Sequence, residues 1–261
     1  MTFSGGFGRV FRPVFDPGLA ARNGLLNALI AYWKLDEASG SRYDSHGANT
    51  LTEVDAVNNR AGKIGSAVNL NGSSFALTIA DNAALSTGDV DFTISAWVLF
   101  DAFATGVSRE AYTVFSKFNV SGNQREFLCF YDRAETIPYN RFKWLVSSNG
   151  SATSKIDSTE TATTATWYHV ICWHDAANDQ IGISVNGVET TTSYSGGVYN
   201  STASFDIGRL LVPASYYLLD GAVDEVAVWK SFAGGGGVLT AAQRTALYNA
   251  GAGLAYAQFT T

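Results

Sequence analysis

Asp44-Ser-His-Gly-Ala-Asn49 gathers a carboxylate, an amide and several backbone carbonyls into one short turn. These are the oxygen donors that Ca²⁺ takes, six to eight of them at about 2.3–2.6 Å. Asp224, in the run Leu219-Asp-Gly-Ala-Val-Asp-Glu-Val-Ala-Val-Trp229, offers a further carboxylate from the far end of the chain. An aspartate in a turn also has a simpler use, accepting backbone N–H bonds and capping the turn by itself. The sequence leaves both uses open.

Other groupings argue against catalysis. Hydrolysis of a glycoside with retention needs two carboxyl groups about 5–5.5 Å apart on one face. Asp36-Glu37 and Asp224-Glu225 are adjacent pairs, and neighbours on a strand point to opposite faces. His169 and His174 are five apart and also face opposite sides of one strand, so they form no shared zinc site by themselves. There is no Gly-x-Ser-x-Gly elbow, and Gly234 to Gly237 lacks the Lys-Ser/Thr ending of a phosphate loop. The expectation is a protein that is not an enzyme. Cys129 and Cys172 fall in separate predicted strands with neither knuckle nor C-x-x-C spacing, which predicts buried thiols, with one disulfide as the alternative.

Sugar binding is the remaining chemistry. Rings stack on the apolar faces of sugars, and Tyr131, Trp144, Trp173, Tyr194, Tyr199, Tyr216 and Tyr217 are the pool for such a platform, unless they pack in the core. Tyr216-Tyr217, just before the Asp220-Gly221 turn, is the most suggestive pair, with Tyr194 and Tyr199 next.

The elements that would hold these groups are strands. Phe92, Ile94, Ala96 and Val98 alternate with Thr93, Ser95 and Trp97, a period of two, though the face bearing Trp97 reads equally as core or groove. Further strands are expected over 112–117, 126–131, 142–147, 167–174 and 181–185, and Asn186-Gly187 is a two-residue hairpin turn because both positions need positive φ. Thr240-Ala-Ala-Gln243 is a capping box opening one short C-terminal helix over 241–248, which Gly251 can close. Such a pattern gives an all-β antiparallel two-sheet sandwich. With 261 residues, 13% aromatic and 15% charged, there is material for one deep core and too little charge for a disordered chain. A net charge of −6 and pI near 5.0 exclude a general nucleic-acid binder, and no apolar run is long enough for membrane insertion.

Residues 1–28 read as a separate N-terminal arm, leaving 29–261 as the domain. Phe3, Phe7, Phe11 and Phe15 recur every four residues, but Gly5, Gly6, Gly8 and Pro13 oppose a helix; Arg9 and Arg12 make the arm opposite in sign to the rest. Its rings either pack on their own sandwich or dock into another subunit, in a homo-oligomer or larger particle. Its Gly, Arg and Pro interrupt the apolar run a secretory leader needs, so the expected starting place is a cytoplasm.

Ala31-Tyr-Trp-Lys-Leu-Asp-Glu-Ala-Ser-Gly40, the Asp44 loop, Phe92-Thr-Ile-Ser-Ala-Trp-Val98, Trp167-Tyr-His-Val170, Val185-Asn-Gly-Val188 and Asp224-Glu-Val226 occur in an order and at intervals that resemble the LamG-like (laminin G, pentraxin and concanavalin A-like) jellyroll family, over roughly 29–254. The resemblance implies a jellyroll, and a structural calcium between the Asp44 loop and Asp224, with the carbonyl of His46 and the amide of Asn49 as weaker ligands. The family's loop often reads Asp-Ser-Ser-Gly-Asn, whereas Ala48 follows the glycine here, which alters the oxygen pattern. Free-standing proteins of this kind resemble those of bacteriophages. The expectation is therefore a virion decoration protein displaying its domain outward, with glycans as possible partners; the alternatives are a stand-alone lectin and, less favoured, a glycoside hydrolase.

Overall fold

The computed structural model describes residues 21–103, 110–133, 140–212, 215–232 and 236–260, and only the backbone of 211, 212, 215 and 216. Phe3, Phe7, Arg9, Phe11, Arg12 and Phe15 lie outside the described residues.

Two antiparallel sheets face each other. One holds β1 (Leu29–Trp33), β3 (Asn58–Ala61), β4 (Ser66–Asn71), β6 (Phe92–Phe100), β11 (Trp167–Asp175), β12 (Gln180–Val185), β13 (Val188–Ser193) and β17 (Asp220–Lys230). Its order is β13-β12-β11-β6-β17-β4-β3, with β1 also on β17. The other holds β2 (Thr52–Val54), β5 (Ala76–Ile79), β7 (Glu110–Asn119), β8 (Gln124–Arg133), β9 (Arg141–Val146), β10 (Ser154–Asp157), β14 (Phe205–Ile207), β15 (Arg209–Val212) and β16 (Ser215–Leu218). Here the order is β10-β9-β8-β7-β14-β5-β2, and the β15–β16 hairpin joins through one parallel contact, Leu211 with Asn119. The first and last strands, β1 and β17, pair directly.

Alternation decides what lies between the sheets. Phe92, Ile94, Ala96, Val98 and Phe100 of β6 point inward, as do Phe127, Cys129 and Tyr131 of β8 and Phe142, Trp144 and Val146 of β9. Trp33 stacks on Phe205 at 5.5 Å, and Phe92, Phe127 and Trp144 form a second knot with centroids 5.6–6.0 Å apart. Cys129 and Cys172 are buried free thiols, and burial pushes the Cys172 thiol well above its ordinary value, with the Cys129 thiol adding to the shift.

The outer face of the β6 sheet is also closed. Ile171, Trp173, Ala227 and Trp229 lie under Leu239, Leu247, Leu254 and Phe259 of the C-terminal segment, which includes α1 (Ala241–Tyr248). Leu25 belongs to this second core, and its carbonyl accepts from Trp229 Nε1 at 2.7 Å, so the described end of the expected 1–28 arm packs on the sandwich from residue 21. Trp97 belongs to this covered face: it stacks on His169 at 4.7 Å and on Tyr248 of α1 at 6.0 Å. The capping box forms as expected, Thr240 Oγ1 accepting from Gln243 N at 3.2 Å and Gln243 Oε1 from Thr240 N at 2.9 Å. Closure comes earlier than Gly251, at Asn249 with φ 48°, because Asn tolerates the left-handed region. The Asn186-Gly187 turn has φ of 51° and 82°.

Candidate functional site

Asp44 acts as a receiver of N–H bonds. Its Oδ1 accepts from the backbone of Tyr32, His46 and Gly47, each at 2.9 Å, and its Oδ2 accepts from Asn49 N and Nδ2, each at 3.0 Å. Five donors saturate the roughly four lone-pair sites of a carboxylate. The His46 ring turns to the Tyr256 hydroxyl at 3.1 Å, and the Asn49 carbonyl takes Trp33 Nε1 at 2.5 Å.

Asp224 serves a different loop. Its Oδ2 accepts from Lys63 N at 2.8 Å and Ile64 N at 2.9 Å, while Oδ1 is buried without a partner. Asp44 and Asp224 thus share no partner, and no three His, Cys, Asp or Glu side chains among the described residues are placed to hold a metal ion. Asp44 is committed to five N–H donors and Asp224 Oδ2 to two in another loop, so the described hydrogen bonds do not bring Asp44, His46, Asn49 and Asp224 together as one calcium site. Excess chelator is therefore expected to leave the thermal midpoint unchanged, whereas Asp44→Ala, which strands several loop N–H groups, lowers stability by about 2 kcal/mol in denaturant titration.

Asp224 and its neighbour are unusual for another reason. A bulge between Asp224 and Ala227 breaks the register with β6, with Glu225 at φ 50°. The extra residue defeats the simple alternation that would turn one carboxyl outward. Both are buried, and burial pushes the Asp224 carboxyl up to about 7 and that of Glu225 up to about 8. His169, beside Trp97, is pushed down to about 3 by burial, then by Lys63, and stays neutral with Nε2 at 2.9 Å from Ser95 Oγ.

The outer face of the β8 sheet differs from that of its partner. Leu128 and Phe130 point away from the main core because Phe127, Cys129 and Tyr131 point into it, and they meet Phe118 and Leu210 outside. No described helix lies over this strip; the β15–β16 hairpin covers part of it through Leu210, and the four residues of the strip are buried. The strip floors a groove of about 390 Å³ whose polar residues are Glu110, Thr113, Arg125, Thr153 and Tyr217. The β15–β16 hairpin forms one wall, pairing Leu210 with Tyr217, and the Tyr217 ring is 39% exposed. Arg125 Nη1 donates to the Ser151 carbonyl, the guanidinium lies 5.8 Å from the Phe118 ring centroid, and Nε has no partner. Thr113 is fully buried with its hydroxyl equally unpartnered. An apolar floor with a few convergent polar groups is what a small-molecule site requires, and the volume falls in the usual range of about 300–1,000 Å³.

The expected ring platform is brought together only in part. Tyr217 lines the groove; Tyr216, next along β16, has its backbone described and its side chain outside the description. Tyr194 is elsewhere, donating to the Gly197 carbonyl at 2.7 Å and packing on His174, and Tyr199 holds Ser147 through its backbone N–H. Tyr131, Trp144 and Trp173 are buried. Sequence reasoning missed Phe118, Phe130, Arg125 and Leu210, although β8 carried a signal: it is apolar on both faces, so something must use the second one.

The sequence profile of the concanavalin A-like lectin/glucanases superfamily matches residues 71–233. The chain belongs to that superfamily. Among solved concanavalin A-like folds, domain 4 of AbnA, a GH43 extracellular arabinanase from Geobacillus stearothermophilus solved with arabinotriose, is 22% identical with a TM-score of 0.58, covering 83% of this chain and 96% of that one. The binding domain of Paraclostridial Mosquitocidal Protein 1 is 13% identical at a TM-score of 0.65, covering 86% and 52%. A structure of botulinum neurotoxin type C, whose cell entry is dependent upon interaction with two ganglioside molecules, is 13% identical at a TM-score of 0.60, covering 80% and 49%. The chain thus spans about half the length of the two toxin structures. At these identities the likeness is one of fold. No curated protein matches this chain. Among the described residues no helix is long and apolar enough to cross a membrane.

Proposed function

We propose that this concanavalin A-like domain is a non-enzymatic glycan-binding module whose ligand occupies the groove on the β8 sheet. The observation that carries this reading is the contrast between the two outer faces: one is sealed by the C-terminal segment, while the other keeps Phe118, Leu128, Phe130 and Leu210 beneath a groove edged by Tyr217, Arg125 and Glu110. A sugar ring presents an apolar face and a rim of hydroxyls, and this lining offers the complement of both. Relatives of the same fold were solved with arabinotriose or described with gangliosides, which supports a saccharide as the occupant. Hydrolysis by the two-carboxylate route needs a pair, and of the described residues lining the groove Glu110 alone is acidic.

Screening the protein against an oligosaccharide array is expected to give binding that Tyr217→Ala weakens at least about tenfold, a loss near 1.4 kcal/mol, with an unchanged thermal midpoint. Binding unaffected by that substitution contradicts the assignment, and hydrolysis of a bound oligosaccharide contradicts the non-enzymatic part.

A setting on a virus particle is favoured by the leader, where four Phe recur at intervals of four beside Arg9 and Arg12. Removing residues 1–20, and keeping Leu25 in its core, is expected to abolish assembly seen by mass measurement at rising concentration; monomers with and without the leader favour a lectin acting alone.

A further inference from the structure

We infer that the groove selects glycans bearing a carboxylate, uronate or sialate units, and that Arg125 is the side chain that reads the acid. The inference rests on the glycan-binding reading above and adds the ligand's chemical class.

A guanidinium offers its donors as a rigid fork, and its side-on edge, Nε with the adjacent Nη, matches a carboxylate bidentately. In Arg125 the other nitrogen, Nη1, is committed to the Ser151 carbonyl, and the Phe118 ring holds the guanidinium from one side. The Nε and Nη2 edge makes no hydrogen bond with any described residue, and Nε is shut off from solvent without an acceptor. A desolvated, unpaired donor on a cation is costly unless something supplies the missing acceptor.

The remainder of the protein shows how it treats such cations when they are structural. Arg42, Lys117, Lys143, Arg209 and Arg244 each face a carboxylate at 2.7–3.3 Å. Arg125 has no such ion pair among the described residues. The groove's own carboxylate, Glu110, turns one oxygen to the Tyr112 hydroxyl.

Charge around the groove agrees. The chain is −6 overall, while β7 to β10 carry six basic and four acidic side chains and the groove lining sets one cation, Arg125, against one carboxylate, Glu110. The groove is thus less hostile to an anion than the protein as a whole, whose net charge repels it. Thr113 lies fully buried beneath the groove with an unpartnered hydroxyl, and Tyr217 supplies the apolar wall. A neutral sugar would satisfy Tyr217 and leave the fork of Arg125 empty.

Matched probes test this on the full chain by titration calorimetry: an oligogalacturonate and a sialyllactose, each beside its own methyl ester, which keeps the sugar and removes the charge. At least one acid is expected to bind ten times more tightly than its ester. Arg125→Gln brings that ratio close to one, and Arg125→Lys, which keeps the stem and the charge but not the fork, recovers only part of it. Tyr217→Ala weakens acid and ester alike. Equal binding of acid and ester by the wild type, still lost in Tyr217→Ala, overturns the carboxylate inference while leaving the glycan-binding reading standing. Failure of every acid, ester and neutral oligosaccharide to bind overturns that reading as well.

Discussion

Glu126→Ala is expected to lower the unfolding free energy by about 3–5 kcal/mol, the usual cost of breaking a buried ion pair from one side. Glu126 is fully buried in β8 and accepts from Thr87 N and Oγ1, both at 2.7 Å, from Ser201 N at 3.0 Å and Oγ at 2.9 Å, and from Lys117 Nζ at 2.8 Å. It therefore fastens two separate loops to the edge of the sandwich while neutralising a buried lysine. Its removal strands the donors of both loops and leaves Lys117 with the Ser201 carbonyl at 2.6 Å and one carboxylate, the partly exposed Asp81, at 2.9 Å. The thermal midpoint should fall by roughly 10 °C, given about 2–4 °C per kcal/mol for a domain of this size. A Lys117→Met, Glu126→Leu double variant, which removes both charges, should recover much of the loss. A fall of under about 2 °C in Glu126→Ala contradicts this account of the network.

The second large effect is a dependence on pH. Asp224 and Glu225 have folded-state values raised to about 7 and about 8, above their ordinary carboxylate values. Between the ordinary and the raised value the native state holds the proton and the unfolded chain does not, so stability is full below about pH 4 and is lost as the pH rises through 7 and 8. Asp224→Asn keeps an acceptor for Lys63 N and Ile64 N and cannot ionise. Relative to wild type it is expected to be neutral near pH 4 and more stable by about 2–4 kcal/mol near pH 9, an upper range because buried sites relax. Taking the difference between variant and wild type removes the contribution of other carboxylates, some of which move the opposite way, such as Asp55. A difference that does not change with pH rules out the buried, unpaired placement of Asp224.

Much of the fold was legible in particular residues. The alternation over 92–98, the positive-φ pair Asn186-Gly187 and the capping box at Thr240 each have one local physical cause, and each appears where that cause acts. The jellyroll implied by the order of the motifs is present, with its first and last strands, β1 and β17, paired. Short strands such as β2, β5 and β14 escaped because three or four residues carry too little pattern to separate them from loops. The Asp224-Glu225 bulge escaped because nothing in a glutamate announces φ of 50°. Asp44 was legible as important but not as to purpose, since a carboxylate that binds a cation and one that accepts five N–H bonds look alike in a sequence. The groove was the least legible feature. Its existence depends on which outer face the C-terminal segment covers, a tertiary choice, and of the four candidate tyrosines only Tyr217 is placed in it by the described side chains.

The central claim is that the groove on the outer face of the β8 sheet is where a saccharide sits. A crystal structure of the protein soaked with an oligosaccharide that binds it in solution tests this directly. The account predicts sugar density against the Tyr217 ring with a polar atom at the free edge of Arg125. Sugar density at the Asp44 loop, or over the sealed Trp97 and Trp173 face, with the groove left to water, contradicts it.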